Sequence, residues 1–147
     1  GWRLGYAIFP KHFIRAAEKI QQNFFICGNA FVQRAGVAAL QKCGDILIQR
    51  KEILNDKRKI MIQGLLDSGF KIPSIPTAAF YIFADASAFT KDCMEFAGDL
   101  LNHAGVAVTP GIDFGKRWKK YIRFSYSNSI ENIQEAIVRL KKYLKKK

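Results

Sequence analysis

From residue 79 onward the hydrophobic pattern switches between the two-residue period of a strand and the 3.6-residue period of a helix, which limits the folds open to the chain. Residues 79–83 (Ala-Phe-Tyr-Ile-Phe) are an unbroken apolar run, predicting a strand buried on both faces. Thr90 is placed to cap a helix running to Ala104, with Cys93, Met94, Ala97, Leu100 and Leu101 on its inner face and Gly105 as its C-cap. Val106, Ala107 and Val108 read as a short strand. In residues 121–126, Ile122, Phe124 and Tyr126 alternate with Tyr121, Arg123 and Ser125, the pattern of a strand with two different faces. Asn128 then caps a last helix, with Glu131 three residues on and an apolar stripe of Ile133, Ile137, Leu140 and Leu144. This order of strand, helix, two strands and helix makes a small sheet with helices on one side, an α/β arrangement.

The first half is richer in helix. Residues 2–9 form an apolar run broken by Arg3 and Gly5 and closed by Pro10, short enough for a strand. Residues 11–23 carry Phe13, Ile14, Ala17 and Ile20 on one helical face, and residues 30–43 carry Phe31, Val32, Ala35, Ala38 and Ala39, with Gly44 as a C-cap. Residues 45–67 form a long helix with an apolar stripe of Ile46, Ile53, Leu54, Ile60, Met61 and Leu65 and a basic opposite face, stopped by Gly69. Pro73 and Pro76 keep residues 71–76 extended or turned.

The 147 residues suit one compact domain. At 49% hydrophobic residues, with twelve Phe, five Tyr and two Trp, the chain needs a core, and some of these rings are expected to cover another protein. No apolar stretch approaches the roughly 20 residues that span a bilayer, and the opening residues do not form a basic segment leading into an apolar secretion signal. Cys27, Cys43 and Cys93 are odd in number and lack C-x-x-C spacing, so they read as reduced core thiols of a cytoplasmic protein. His12 and His103 stand apart from other metal ligands, and no metal site is expected. The G-x-x-x-x-G-K-[ST], H-E-x-x-H, G-x-S-x-G and kinase signatures are absent.

Two arginines lie inside apolar strand patterns. Arg123 sits between Ile122 and Phe124; a guanidinium there keeps its charge, so either it points to solvent from an edge strand or it receives an anion, for which its planar fork suits a carboxylate. Arg3, between Trp2 and Leu4, poses the same alternatives with a phosphate or carboxylate as ligand. Residues 109–115 (Thr-Pro-Gly-Ile-Asp-Phe-Gly) are loop chemistry placed just before the strand that bears Arg123.

In this order, the segments Gly1-Trp2-Arg3-Leu4-Gly5-Tyr6, Pro76-Thr77-Ala78-Ala79-Phe80-Tyr81, Gly105-Val106-Ala107-Val108-Thr109-Pro110-Gly111 with Phe114-Gly115, and Tyr121-Ile122-Arg123-Phe124-Ser125-Tyr126-Ser127 resemble the C-terminal portion of class I pyridoxal-phosphate-dependent aminotransferases of the aspartate aminotransferase type. The resemblance runs over essentially the whole chain. It implies residues 1–44 as the end of the large cofactor-binding domain, 45–69 as the long interdomain helix and 70–147 as the small C-terminal domain. It implies that Arg3 holds the phosphate of pyridoxal 5'-phosphate and that Arg123 binds the substrate α-carboxylate. The Schiff-base lysine is expected upstream of Gly1, leaving no catalytic residue in this chain, so the chain is expected to be an inactive fragment of a homodimeric enzyme that moves an amino group from an amino acid to a 2-oxo acid. One departure is visible: Ala78 stands where the family's P-x-G-x-F-Y pattern has glycine, so the local turn is expected to differ.

Two other readings compete. A net charge of +12, with clusters at residues 57–59, 116–120 and 141–147, suits a small basic nucleic-acid-binding domain. The aromatics, however, fall within apolar runs while the basic residues fall mostly on helices and the tail, so these clusters are read as solvated faces and no nucleic-acid or membrane partner is expected. A noncatalytic aminotransferase-like protein has the same residues over this region.

Overall fold

The computed structural model describes residues 2–145, so Gly1 of the first motif and Lys146 and Lys147 of the basic tail lie outside the described residues. The chain divides into two compact units, Gly1–Gln49 and Arg50–Lys147, where the length alone suits one.

The first unit holds α1 (Lys11–Phe24), α2 (Ala30–Lys42) and the start of α3 (Gly44–Asp67). Pro10, whose fixed φ suits a helix start, precedes α1 and accepts the first bond, from the Phe13 amide (2.9 Å). The Asn29 side chain caps α2 by accepting from the Phe31 amide (3.2 Å). Cys43 ends α2, and Gly44, expected as its cap, opens α3 instead. The strand expected over residues 2–9 is absent: no described strand pairs with them, and Arg3 has a φ of +56° that breaks extended backbone. Among the described residues of this unit only Val32 is buried; Phe13, Ile14 and Ile20, the expected inner face of α1, are exposed.

In the second unit three antiparallel strands, β1 (Tyr81–Asp85), β2 (Thr109–Pro110) and β3 (Tyr121–Ser125), lie in the order β1-β3-β2. The register pairs Tyr81 with Ser125, Phe83 with Arg123 and Thr109 with Arg123. One face of this sheet is core: Ile82 and Ala84 of β1 and Ile122 and Phe124 of β3 are buried with Met61 and Leu65 of α3, Cys93 and Phe96 of α4 (Cys93–Asp99), and Ile133, Ile137 and Leu140 of α5 (Ile130–Leu144). Phe70 ties the layers, its ring meeting Phe89 (4.9 Å) and Phe124 (5.3 Å) edge to face.

Several boundaries move from those expected. β1 begins at Tyr81, two residues late, because the chain turns through Ala79 at a φ of +59°, and it is buried on one face only, since the core helices cover only that side of the sheet. The positive φ thus falls on Ala79 and not on Ala78. Residues 106–108 do not pair; the ladder starts at Thr109, opposite Arg123, while Val106 sinks into the core. Asp92 rather than Thr90 caps α4, accepting from the Met94 amide (2.8 Å), while the Thr90 hydroxyl accepts from the Asp92 amide (3.0 Å). The helix continues as a π-helical stretch, Leu100–Ala104, and stops at Gly105 with a φ of +64°, as expected. Its inner face is Cys93, Phe96 and Leu100; Met94 and Leu101, one helical step off that line, are exposed. Ser129 caps α5 through the Asn132 amide (3.2 Å), and Asn128 accepts from the Ser129 amide (2.8 Å). Of the three free thiols, Cys93 is buried, Cys43 half-buried and Cys27 exposed, so the expectation of core thiols holds for Cys93 alone.

At the surface Asp67 joins α3 to α5, accepting from Gln63 (2.7 Å) and from Lys141 (3.2 Å). The Gln63 bond first, then Lys141, holds its carboxyl below the ordinary value. A depressed folded pKa stabilises the fold above the unfolded value, a contribution lost as pH falls through the folded one. In NMR titrations Lys141→Ala should therefore move the Asp67 pKa upward. In the core, Leu65→Ala removes a side chain with no exposure and should lower unfolding stability by about 2–5 kcal/mol in urea melts followed by circular dichroism.

Candidate functional site

The sheet face opposite the core carries Tyr81 and Phe83 of β1 and Tyr121 and Arg123 of β3, all half-buried. The two-residue period that sends Ile122 and Phe124 inward sends Arg123 to this other face. The cross-strand register then brings Thr109 and Phe83 to either side of it. The guanidinium lies 4.2 Å from the centre of the Tyr81 ring and 4.9 Å from that of Phe114, and its Nη2 donates to the Thr109 hydroxyl (3.1 Å). Among the described residues it has no other hydrogen bond and no carboxylate within 4.0 Å, unlike Arg15, Lys59, Arg139 and Lys141, which pair with Glu18, Asp56, Glu135 and Asp67. Of the two alternatives left open by the sequence, the edge strand pointing to solvent is set aside: Arg123 sits half-buried on the central strand beside two rings.

Phe114 and Trp118 reach this face from two 3-10 turns, Gly111–Phe114 and Lys116–Trp118. Glycine is required at 111 by close approach, since a Cβ there would lie 2.4 Å from the Trp118 carbonyl oxygen and 2.6 Å from that of Tyr121. Gly115, at a φ of +120°, joins the two turns in a conformation other residues rarely adopt. The Phe83 ring stacks on Tyr121 (5.0 Å) and meets Phe114 (5.8 Å) and Trp118 (5.3 Å) edge to face, a wall that restrains the loop. Together Ser74, Pro76, Tyr81, Phe83, Phe114, Trp118 and Arg123 line a cavity of about 410 Å³.

Arg3 belongs to the first unit. It is exposed and has no hydrogen bond or ion pair among the described residues. The loop 109–115 and the Phe80-Tyr81 segment, singled out in the sequence, do meet at Arg123. The aromatic wall of Phe83, Trp118 and Tyr121 was not foreseen as a unit; its only sequence signal is that Tyr121 shares the parity of Arg123 in the alternating run 121–126. Among the described residues no cluster of metal-ligating side chains occurs and no helix is long and apolar enough to cross a membrane.

A family model described as aminotransferase class I and II matches residues 1–140. The (5-formylfuran-3-yl)methyl phosphate transaminase of Methanocaldococcus jannaschii is 39% identical over 99% of this chain and 39% of its own length. An aspartate aminotransferase of Pyrococcus horikoshii is 35% identical over 98% of this chain and 37% of its own length. Among solved structures, an aromatic aminotransferase from Pyrococcus horikoshii superposes with a TM-score of 0.86 at 31% identity, covering 99% of this chain and 39% of that one. An aminotransferase from Mycobacterium tuberculosis superposes with a TM-score of 0.83 at 33% identity, covering 99% and 38%. The chain thus spans less than two-fifths of the length of each of these relatives. With the family model matching nearly its whole length and the mixed α/β fold superposing throughout, the chain belongs to the class I and II aminotransferases.

Proposed function

We propose that the protein containing this chain transfers an amino group from an amino acid to a 2-oxo acid with pyridoxal 5'-phosphate, and that Arg123 receives the substrate α-carboxylate while Arg3 holds the cofactor phosphate. The observation that carries this reading is the state of Arg123: its guanidinium lies against the rings of Tyr81 and Phe114, one N–H is tied to Thr109, and the other donors have no acceptor among the described residues. An arginine held in this way supports two parallel N–H···O bonds to a carboxylate, which fixes orientation as well as charge. The exposed and unpaired Arg3 guanidinium fits a phosphate in the same sense.

When bound, the cofactor supplies an electron sink for the charge that develops at the substrate Cα. The residues of this chain hold the substrate. Arg123 clamps the carboxylate at one end of the amino acid and so restricts the direction in which its Cα–H bond points. Phe114 and Trp118 present apolar surface beside that clamp, which keeps water from competing for the guanidinium. In this reading residues 1–44 end the large domain, 45–69 connect the domains, and 70–147 form the small domain that closes over substrate. The lysine that bonds the cofactor lies upstream of Gly1, and the whole enzyme is a cytoplasmic homodimer.

Three outcomes are expected. In the complete enzyme Arg123→Ala should raise KM for the amino acid roughly a hundredfold, the loss of about two charge-assisted hydrogen bonds, with Arg123→Lys intermediate; an unchanged KM in steady-state assays removes Arg123 from this role. Arg3→Ala should weaken cofactor binding about tenfold when followed by the cofactor's visible absorbance. The chain alone, mixed with cofactor and substrates, should show no transaminase turnover.

A further inference from the structure

The segment 76–81, which delivers Tyr81 to Arg123, is held at three points by side chain and backbone from elsewhere in the second unit. Arg58 of α3 donates from Nη1 to the Pro76 carbonyl and from Nη2 to the Asn55 side-chain oxygen (2.7 Å). The hydroxyl of Tyr126, a residue almost wholly buried, donates to the Ala79 carbonyl (2.9 Å), and the Tyr126 amide donates to the Phe80 carbonyl (3.0 Å). Between these anchors Ala79 adopts a φ of +59°, a left-handed conformation that an alanine keeps only when its surroundings over-determine it. Arg58 Nε is buried without a partner. Burial raises the Tyr126 hydroxyl pKa, while the positive charge of Arg58 acts in the opposite direction; the hydroxyl keeps its proton and stays a donor at neutral pH. One residue beyond Phe80 the chain enters β1, and the Tyr81 ring lies 4.2 Å from the Arg123 guanidinium carbon.

We propose that Arg58 and Tyr126 are positioning residues for substrate binding: they lock the left-handed turn at Ala79 and thereby set Tyr81 against Arg123. This rests on the reading of Arg123 as the carboxylate receptor. If either anchor is lost, Ala79 relaxes toward negative φ, the entry of β1 rotates, and one of the two rings that lie against the guanidinium is displaced. Neither residue touches substrate, so the effect falls on the binding of the amino acid and not on the chemical step.

The test measures kcat and KM for the amino acid in the complete, cofactor-loaded enzyme carrying Tyr126→Phe, Arg58→Met, Arg123→Ala, or Ala79→Gly combined with Tyr126→Phe. Tyr126→Phe and Arg58→Met should each raise KM roughly fivefold to tenfold, the scale of one lost hydrogen bond, with kcat within about twofold. Adding Ala79→Gly to Tyr126→Phe should return KM to within about twofold of the parent, because glycine takes positive φ about as readily as negative. If Arg123→Ala raises KM while both anchor variants leave it unchanged, the positioning role is overturned and the carboxylate reading stands. If Arg123→Ala itself leaves KM unchanged, the carboxylate reading falls first. An anchor variant that lowers kcat and thermal stability together at constant KM, or a raised KM that glycine at 79 does not recover, also overturns the proposal. Should Tyr126→Phe fail to fold, Arg58→Met alone decides between a raised and an unchanged KM.

Discussion

The antiparallel pairing of β3 with strands on both sides is the constraint on which the rest of the second unit depends. A strand offers its side chains alternately to two faces, and with neighbours on both edges β3 cannot slip by one residue without exchanging them. Ile122 and Phe124 are thereby committed to a core closed by α3, α4 and α5, and Arg123 is committed to the face those helices leave free. The apolar free energy gained on one face holds a permanent positive charge on the other, in a place it would not choose alone.

That charge is tolerated because it is only half-desolvated and because two aromatic rings and a hydroxyl contact it. Ring quadrupoles compensate a cation weakly, on the order of 1 kcal/mol at such exposure. A structural carboxylate would compensate it better but would also occupy the fork. Under the proposed carboxylate role, a fork free of any structural carboxylate suits an anion that comes and goes. The supporting loop follows the same logic: Gly111 allows backbones to touch, and the rings of Phe83, Tyr121 and Trp118 pack the turn from below.

The two units differ in how much of themselves they bury. In the second, amphipathic periodicity and observed burial coincide for α5, whose Ile133, Ile137 and Leu140 are core, and for β3. In the first, the apolar faces written into α1 and α2 are exposed almost throughout. Periodicity states which side of a helix wants to leave water; it does not state what will cover it. The chain spans less than two-fifths of the length of the Methanocaldococcus jannaschii and Pyrococcus horikoshii relatives named above.

The sequence by itself determined the order of the second unit, the parity of β3, the left-handed stops at Gly69 and Gly105, and the placing of Arg123 and the loop 109–115 beside each other, because these follow from local period, glycine chemistry and adjacency along the chain. Its four motifs also carried the family. Tertiary structure decided what local pattern cannot reach. Residues 2–9 have strand composition but no ladder partner, and residues 106–108 yield pairing to Thr109 because the register with Arg123 is set across the sheet. Capping moved to Asp92 and Ser129 because a cap must reach particular amide groups, which depends on where the backbone enters the helix. The positive φ of Ala79 was invisible for the same reason: an alanine enters that region only when distant groups hold it there, and Arg58 and Tyr126 lie 21 residues before it and 47 after it in the chain.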